Sequence, residues 1–262
     1  MHAFFFGNID SPLYGVSHSP TCNDFKNSAI LILNPQGHEY IRSHKALRQL
    51  ADALSGAGYF VLRFDYQATG DSRGELQDVT LDSWKENIKI AADELRSISG
   101  QKNITAVGLR LGASLAILSN EIAGLKNVIL WDPVISGEDY IDNLDNLQSQ
   151  LLANKNSWFN KPLSASVLSE NELLGYQYSE AFLSSMKEMN LLTQEVPAKL
   201  RVKHFSTFSN DDVICLNEKL ENDLRRFSHY EIEDMGDWDD IMKIDSALLV
   251  HKITNKIVEE LG

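Results

Sequence analysis

The sequence predicts an α/β fold: a mostly parallel sheet flanked by helices, with one long helical insertion. Three observations lead there. Short, apolar, β-branched runs alternate with longer amphipathic stretches, the pattern of helices laid on both faces of a parallel sheet. The chain has 262 residues, 43% of them apolar, which suffices for one large core. Residues 134–198 break the alternation, and that is too long a stretch for a single connection inside a compact unit.

In order, the opening segments 3–8 and 12–18 are expected to pair as an antiparallel hairpin at a sheet edge. The candidate strands are Ala29–Asn34, Tyr59–Asp65, Ile104–Gly108, Val128–Trp131, Leu200–Phe208 and Tyr230–Glu233. Each is brief and nearly continuous in apolar character, as a strand covered on both faces must be. Helices are expected at 41–57, 81–99, 111–123, 215–226 and 246–260. Leu47, Leu50, Ala51 and Leu54 give the first an apolar stripe at i, i+3, i+4 and i+7. Thr80 suits the N-cap of the second. The insertion carries nine acidic residues against three lysines, with apolar groups that include Leu151, Leu152, Trp158, Phe159, Leu173, Phe182 and Met186. It reads as a lid above the carboxyl ends of the strands, where open α/β sheets hold ligands. The division is thus a core of 1–133 and 199–262 and a lid of 134–198. Within the lid, the stretch 139–145 reads as a solvated helix face, and Tyr176 and Tyr178 suit either a substrate wall or core packing.

Charge narrows the function. With 24 Lys+Arg against 37 Asp+Glu the net charge is −13, which argues against nucleic acid or an anionic membrane as the main partner. No run approaches the ~20 apolar residues that span a bilayer. The first residues lack the basic flank and long apolar stretch of a signal peptide, so a cytoplasmic location is expected. Cys22 and Cys215 form no metal-ligand spacing and read as free thiols. No metal or cofactor is implied. Of the histidines, His18, His204, His229 and His251 read as packed or surface residues.

The run Val107-Gly108-Leu109-Arg110-Leu111-Gly112-Ala113 follows a strand and opens a helix, giving the Gly-x-X-x-Gly frame of a nucleophile elbow. Both glycines are needed, because side chains there would collide with the adjoining strand and helix. Three further stretches accompany it in order: Asn34-Pro35-Gln36-Gly37-His38-Glu39, Arg63-Phe64-Asp65-Tyr66-Gln67-Ala68-Thr69-Gly70-Asp71-Ser72, and Asp132-Pro133. On these residues the chain resembles an α/β-hydrolase of the serine aminopeptidase type, and more closely the hydrolases associated with exosortase systems. The resemblance implies the α/β-hydrolase fold with a helical lid.

It also implies a serine at the elbow, where this sequence has Arg110. The acid of such a hydrolase follows the strand after the lid, where Asp211 stands with Asp212 as the alternative. The histidine belongs in the loop after the last strand, and Asp237 takes that place beside Trp238. With serine and histidine both replaced, the Ser-to-His proton transfer is missing, and about 10³–10⁴-fold over water is all that binding and oxyanion donors retain. A cation for serine and an anion for histidine look compensatory, so an Arg110–Asp237 ion pair, shared with Asp211, is expected. Gln36, Gly37, His38 and Leu111 would surround the oxyanion or ligand, with Trp238 as a pocket wall.

Three functions remain open from sequence. The protein is a noncatalytic member that binds a small carboxylate or acyl ligand, or it runs isomerase- or lyase-type chemistry through Arg110 and an aspartate. Otherwise it is an acyl hydrolase or transferase with a displaced nucleophile. Ser114 is the hydroxyl to weigh there, although one turn into the helix it should face the sheet. Ser72 reads as a turn residue. His38 and Glu39 are either turn scaffold or proton donors at the cleft mouth.

Overall fold

The structure, a computed structural model, describes residues 1–153, 171–238, 240–243, 246–248 and 250–261. The chain runs β1 (His2–Asn8), β2 (Ser11–His18), β3 (Ala29–Leu33), α1 (Gly37–Gly56), β4 (Phe60–Phe64), α2 (Leu81–Ser99), β5 (Ile104–Leu109), α3 (Leu111–Leu118), β6 (Asn127–Trp131) and α4 (Gly137–Ala153). It continues through β7 (Glu172–Leu173), β8 (Tyr176–Gln177), α5 (Glu180–Glu188), β9 (Arg201–Ser206), α6 (Asp211–Asp223), β10 (Arg226–Glu231) and α7 (Lys252–Leu261). Eight strands make one sheet in the order β1-β2-β4-β3-β5-β6-β9-β10. The β1–β2 hairpin joins β4 antiparallel, and every later pairing is parallel.

Every residue of β3 and β5 is buried, which explains why their sequences show no alternation: helices cover both faces. On one face Leu31, Leu33, Leu62 and Ala106 pack with α2, α3 and the insertion. On the other, Ile30, Ile32, Val61 and Val107 pack against Leu47, Leu50 and Leu54 of α1 and Ile253 and Ile257 of α7. Burying one such side chain fully is worth about 1.5–3 kcal/mol. Thr80 and Ser83 form a reciprocal capping box at the start of α2, and Gly100 ends that helix in the left-handed region.

The insertion presents α4, the short β7–β8 hairpin and α5. Tyr140, Ile141, Leu144, Leu147, Leu173, Phe182 and Met186 join the same apolar cluster as α2, and Ser179 Oγ donates to the Val79 carbonyl at 2.6 Å. Trp158 and Phe159 lie outside the described residues. The stretch 139–145 is solvated on one side only: Asp139, Asp142 and Asp145 are exposed, while Tyr140, Ile141 and Leu144 are buried.

Four helix boundaries differ from expectation. α1 begins four residues early, at Gly37, after Gln36 in extended conformation; this puts Glu39 in its first turn. α3 ends at Leu118 because Asn120 turns the chain back, its N–H bonding to the Ile117 carbonyl. α6 starts at Asp211 because the Asn210 side chain accepts from the Val213 N–H at 2.9 Å. α7 starts at Lys252, since the preceding segment crosses α1: the Ser246 carbonyl accepts from Arg42 Nε, and the Leu248 N–H donates to the Arg42 carbonyl.

Candidate functional site

The turn between β5 and α3 holds Arg110 at φ 53°, ψ −121°, a conformation that costs a non-glycine residue of order 1–3 kcal/mol. The glycines on either side make it possible. A Cβ on Gly108 would lie 2.4 Å from the Gly112 carbonyl oxygen, and one on Gly112 would lie 2.3 Å from that of Leu33. The Arg110 N–H donates to the Trp131 carbonyl at 2.9 Å, anchoring the turn to β6.

The side chain at this tip is 7% exposed. Its Nε donates to Glu39 Oε1 at 2.9 Å and its Nη1 to the Asp132 carbonyl at 3.2 Å. Glu39, only 1% exposed, accepts at its other oxygen from the Tyr140 hydroxyl at 3.0 Å. Tyr140 in turn accepts from Gln36 Nε2 at 3.0 Å, and the Gln36 amide oxygen accepts from the Tyr178 hydroxyl. A continuous polar network therefore runs from the elbow through α1 into the insertion. The guanidinium lies over the rings of Tyr140 and Trp238, 5.7 and 5.1 Å from their centroids. Burial pulls the Arg110 pKa down, but Glu39, Tyr140 and Asp132 outweigh it and hold it above its ordinary value. Burial, together with the Glu39 charge, holds the Tyr140 hydroxyl well above the usual phenol range.

A second carboxylate stands behind the elbow. Asp132, 1% exposed at the end of β6, accepts from the Thr207 N–H at 2.7 Å, the Thr207 hydroxyl at 2.6 Å and Trp238 Nε1 at 3.0 Å. Burial raises its pKa despite those three donors. Trp238 thus presents its ring to Arg110 and its Nε1–H to the Asp132 carboxylate.

Over nearly its full length this architecture matches solved structures. Est1E from Butyrivibrio proteoclasticus, with ferulic acid bound, gives a TM-score of 0.66 at 14% identity over 99% of this chain and 98% of that one. An esterase, Pf2001, from Pyrococcus furiosus gives 0.63 at 17% over 99% and 91%. Alpha/beta hydrolase domain-containing protein 10 from mouse gives 0.56 at 13% over the whole of both chains. The chain has the α/β-hydrolase fold. At these identities the likeness speaks for the fold alone. No family model and no curated protein matches the sequence.

An α/β-hydrolase elbow presents a nucleophile to a histidine backed by an acid; here Arg110 stands at the tip of the turn, the Trp238 ring lies against its guanidinium, and Asp132 accepts from Trp238 Nε1. The expected Arg110–Asp237 pair does not form. Asp237 directs its carboxylate outward to Lys243, and Arg42 Nη1 holds its carbonyl at 3.0 Å, so the inward position falls to Trp238. Asp211 and Asp212 are exposed in the first turn of α6, and of the two only Asp212 borders the cleft at Arg110. Leu111 follows Arg110 on α3, Trp238 lies against its guanidinium and Gln36 reaches it through Tyr140 and Glu39, while Gly37 and the buried His38 open α1. The space above Gly37 is taken: a Cβ built there would meet the Tyr178 hydroxyl at 3.4 Å and the Tyr176 ring at 3.6 Å. The cleft left beside Arg110 is about 150 Å³, bordered by Pro133, Val134, Asp139, Asn143 and Asp212. Larger cavities of about 530 and 580 Å³ open at the opposite end of the strands, around Asn127 and Arg201.

Sequence reasoning weighed Glu39 without pairing it to Arg110 and missed Asp132 and Tyr140 as members of the site. Tyr140, Leu144 and Leu147 do share one helical face, and that spacing was the available signal.

Among the described residues, Ser136 also borders the cleft, where its Oγ accepts from the Asp139 N–H at 3.2 Å at the start of α4. Ser114 is fully buried and donates to the Val134 carbonyl at 2.6 Å. Ser72 donates to the Asp65 carbonyl at 2.6 Å and accepts from the Tyr14 N–H, a turn role. Ser206 Oγ does lie 2.8 Å from His229 Nε2, but Ser206 is fully buried at the end of β9. Cys22 and Cys215 are free. Among the described residues no group of three or more His, Cys, Asp or Glu is placed to hold a metal, and no helix is long and apolar enough to cross a membrane.

Proposed function

We propose that this α/β-hydrolase-fold protein is a noncatalytic member whose former active site has become a buried structural latch between core and lid. The observation that supports this most is the Arg110–Glu39 pair sealed by Tyr140. The elbow residue cannot attack a carbonyl, its charge is already neutralised, and the place of an acyl oxygen above Gly37 is held by Tyr178. An anion at Arg110 would have to displace Glu39. The ligand that suits the remaining cleft is therefore a small acyl or uncharged group resting against Pro133 and Val134, with 134–198 acting as the lid. A role in a cytoplasmic bacterial biosynthetic pathway rests on the resemblance to exosortase-associated hydrolases.

Isomerase- or lyase-type chemistry through Arg110 is disfavoured because Asp211 and Asp237 do not reach it. Hydrolysis through a displaced nucleophile has one observation in its favour, the Ser206–His229 contact, and burial of Ser206 counts against it. Turnover of short- and medium-chain p-nitrophenyl esters by the purified chain tests the proposal. The expected rate is that of buffer alone. Turnover removed by Ser206→Ala, but not by Arg110→Met, would instead establish the displaced nucleophile.

A further inference from the structure

Helix α1 carries a second polar face, unrelated to the elbow. Glu39 points to Arg110, whereas Tyr40, His44, Arg48 and Asp52 recur every four residues along the side facing β2 and β4. Beneath that stripe lies a cavity of about 320 Å³ whose floor includes Arg63 of β4, with His44 and Arg48 on its rim. Asp65 and Asp71 line it too, and the carboxylates of Asp65 and Asp52 are engaged. At one end, Asp65 accepts the Tyr40 hydroxyl at 2.7 Å on one oxygen and the Asp71 N–H at 3.0 Å on the other. At the other end, Asp52 pairs with His18 at 2.9 Å.

Arg63 lies between them in no direct ion pair, with Asp52 and Asp65 acting on its charge from a distance. It is 8% exposed, its Nε makes a long contact of 3.4 Å to His18 Nε2, and no carboxylate among the described residues comes within ion-pairing distance. A guanidinium nine-tenths removed from water that no carboxylate pairs directly is expensive to keep in a fold. Its fork also matches the oxygens of a carboxylate or phosphate. Around it, burial lowers the pKa of His44 and the Arg63 charge lowers it further, against the opposing pull of Asp65.

We propose that this groove between α1 and the β2–β4 edge is an anion-binding site, in which Arg63, assisted by Arg48 and His44, holds the carboxylate or phosphate group of a small molecule. The site is separate from the elbow: it uses another face of α1 and shares no side chain with the Arg110 network. Its position beside the β1–β2 hairpin gives the protein a ligand site even with its former active site sealed.

Calorimetric titration of the full chain at constant ionic strength, with inorganic phosphate in one arm and acetate in the other, tests this. Saturable one-to-one binding is expected in at least one arm, and the tighter arm identifies the anion class. Arg63→Gln should weaken it roughly tenfold or more. Because Arg63→Gln alone could disturb the sheet, Arg48→Ala and His44→Ala, both at exposed rim positions, form the second handle, each weakening binding about threefold. No saturable binding in either arm, or binding that all three variants leave unchanged, overturns the proposal.

Discussion

Replacing Glu39 by glutamine removes one charge from the elbow while keeping its shape. In the wild type Glu39 is 1% exposed and Arg110 7%, so neither can turn to water when its partner is lost. The amide would still accept from Arg110 Nε, but the guanidinium's direct partners would all be neutral: that amide, the Asp132 carbonyl and the faces of Tyr140 and Trp238, with the Asp132 carboxylate acting from behind Trp238. The Tyr140 hydroxyl would lose its carboxylate acceptor. Breaking a buried pair from one side typically costs about 3–5 kcal/mol, and the retained amide places Glu39→Gln near 3 kcal/mol. Against a usual total of about 5–15 kcal/mol, the variant should still fold. Urea titration would show a lower midpoint at an unchanged slope, and thermal unfolding a drop of roughly 6–12 °C. Pairing it with Arg110→Met removes both charges, and the double variant should recover at least about 2 kcal/mol relative to the sum of the single losses. A loss below about 1 kcal/mol for Glu39→Gln, or strict additivity in the double variant, would show that the pair is not the buried latch described.

Three other outcomes follow from the same geometry. Tyr140→Phe should cost about 1–3 kcal/mol in urea unfolding, because it leaves a Glu39 oxygen and the Gln36 amide without their partner; an unchanged midpoint would count against the network. Gly112→Ala should fail to give soluble folded protein, since its Cβ would meet two backbone carbonyl oxygens at 2.3 and 2.5 Å; a normal circular dichroism melt would contradict that. Stability should also fall in acid through His204, which is buried and whose pKa burial lowers to about 4. Above about pH 6.5 its imidazole is neutral in both states. Below that the unfolded chain gains a proton the folded one resists, a loss that grows to about 3 kcal/mol by pH 4 and then levels off. Urea midpoints measured across that range should drop less steeply in His204→Gln than in the wild type, and parallel profiles would refute it.

The central strands were legible because complete burial on both faces leaves an apolar run that few alternatives explain. The elbow was legible because only glycine satisfies the close approaches at positions 108 and 112. The pairing of the elbow residue was not. Glu39 becomes its partner only because α1 begins at Gly37, and the polar sequence Gln36-Gly37-His38 carries no apolar stripe to announce a helix start. At the loop after β10 the choice between Asp237 and Trp238 is a matter of one residue, settled by Arg42 gripping the Asp237 carbonyl from a distant helix. Tyr140 was concealed by its neighbours, since Asp139, Asp142 and Asp145 dominate the composition of a helix whose other side is core. Asp132 was visible as part of a motif, but its role depends on Thr207 and Trp238, both remote in sequence.

Whether the chain carries an attacking group is decided most directly by mass spectrometry of the intact chain after exposure to a fluorophosphonate. With Arg110 at the elbow, Ser114 and Ser206 buried, and Ser136 held by the Asp139 N–H at the start of α4, no adduct should form. A stoichiometric adduct on a serine, abolished by replacing that serine and retained when Arg110 is changed, would show that a working nucleophile remains.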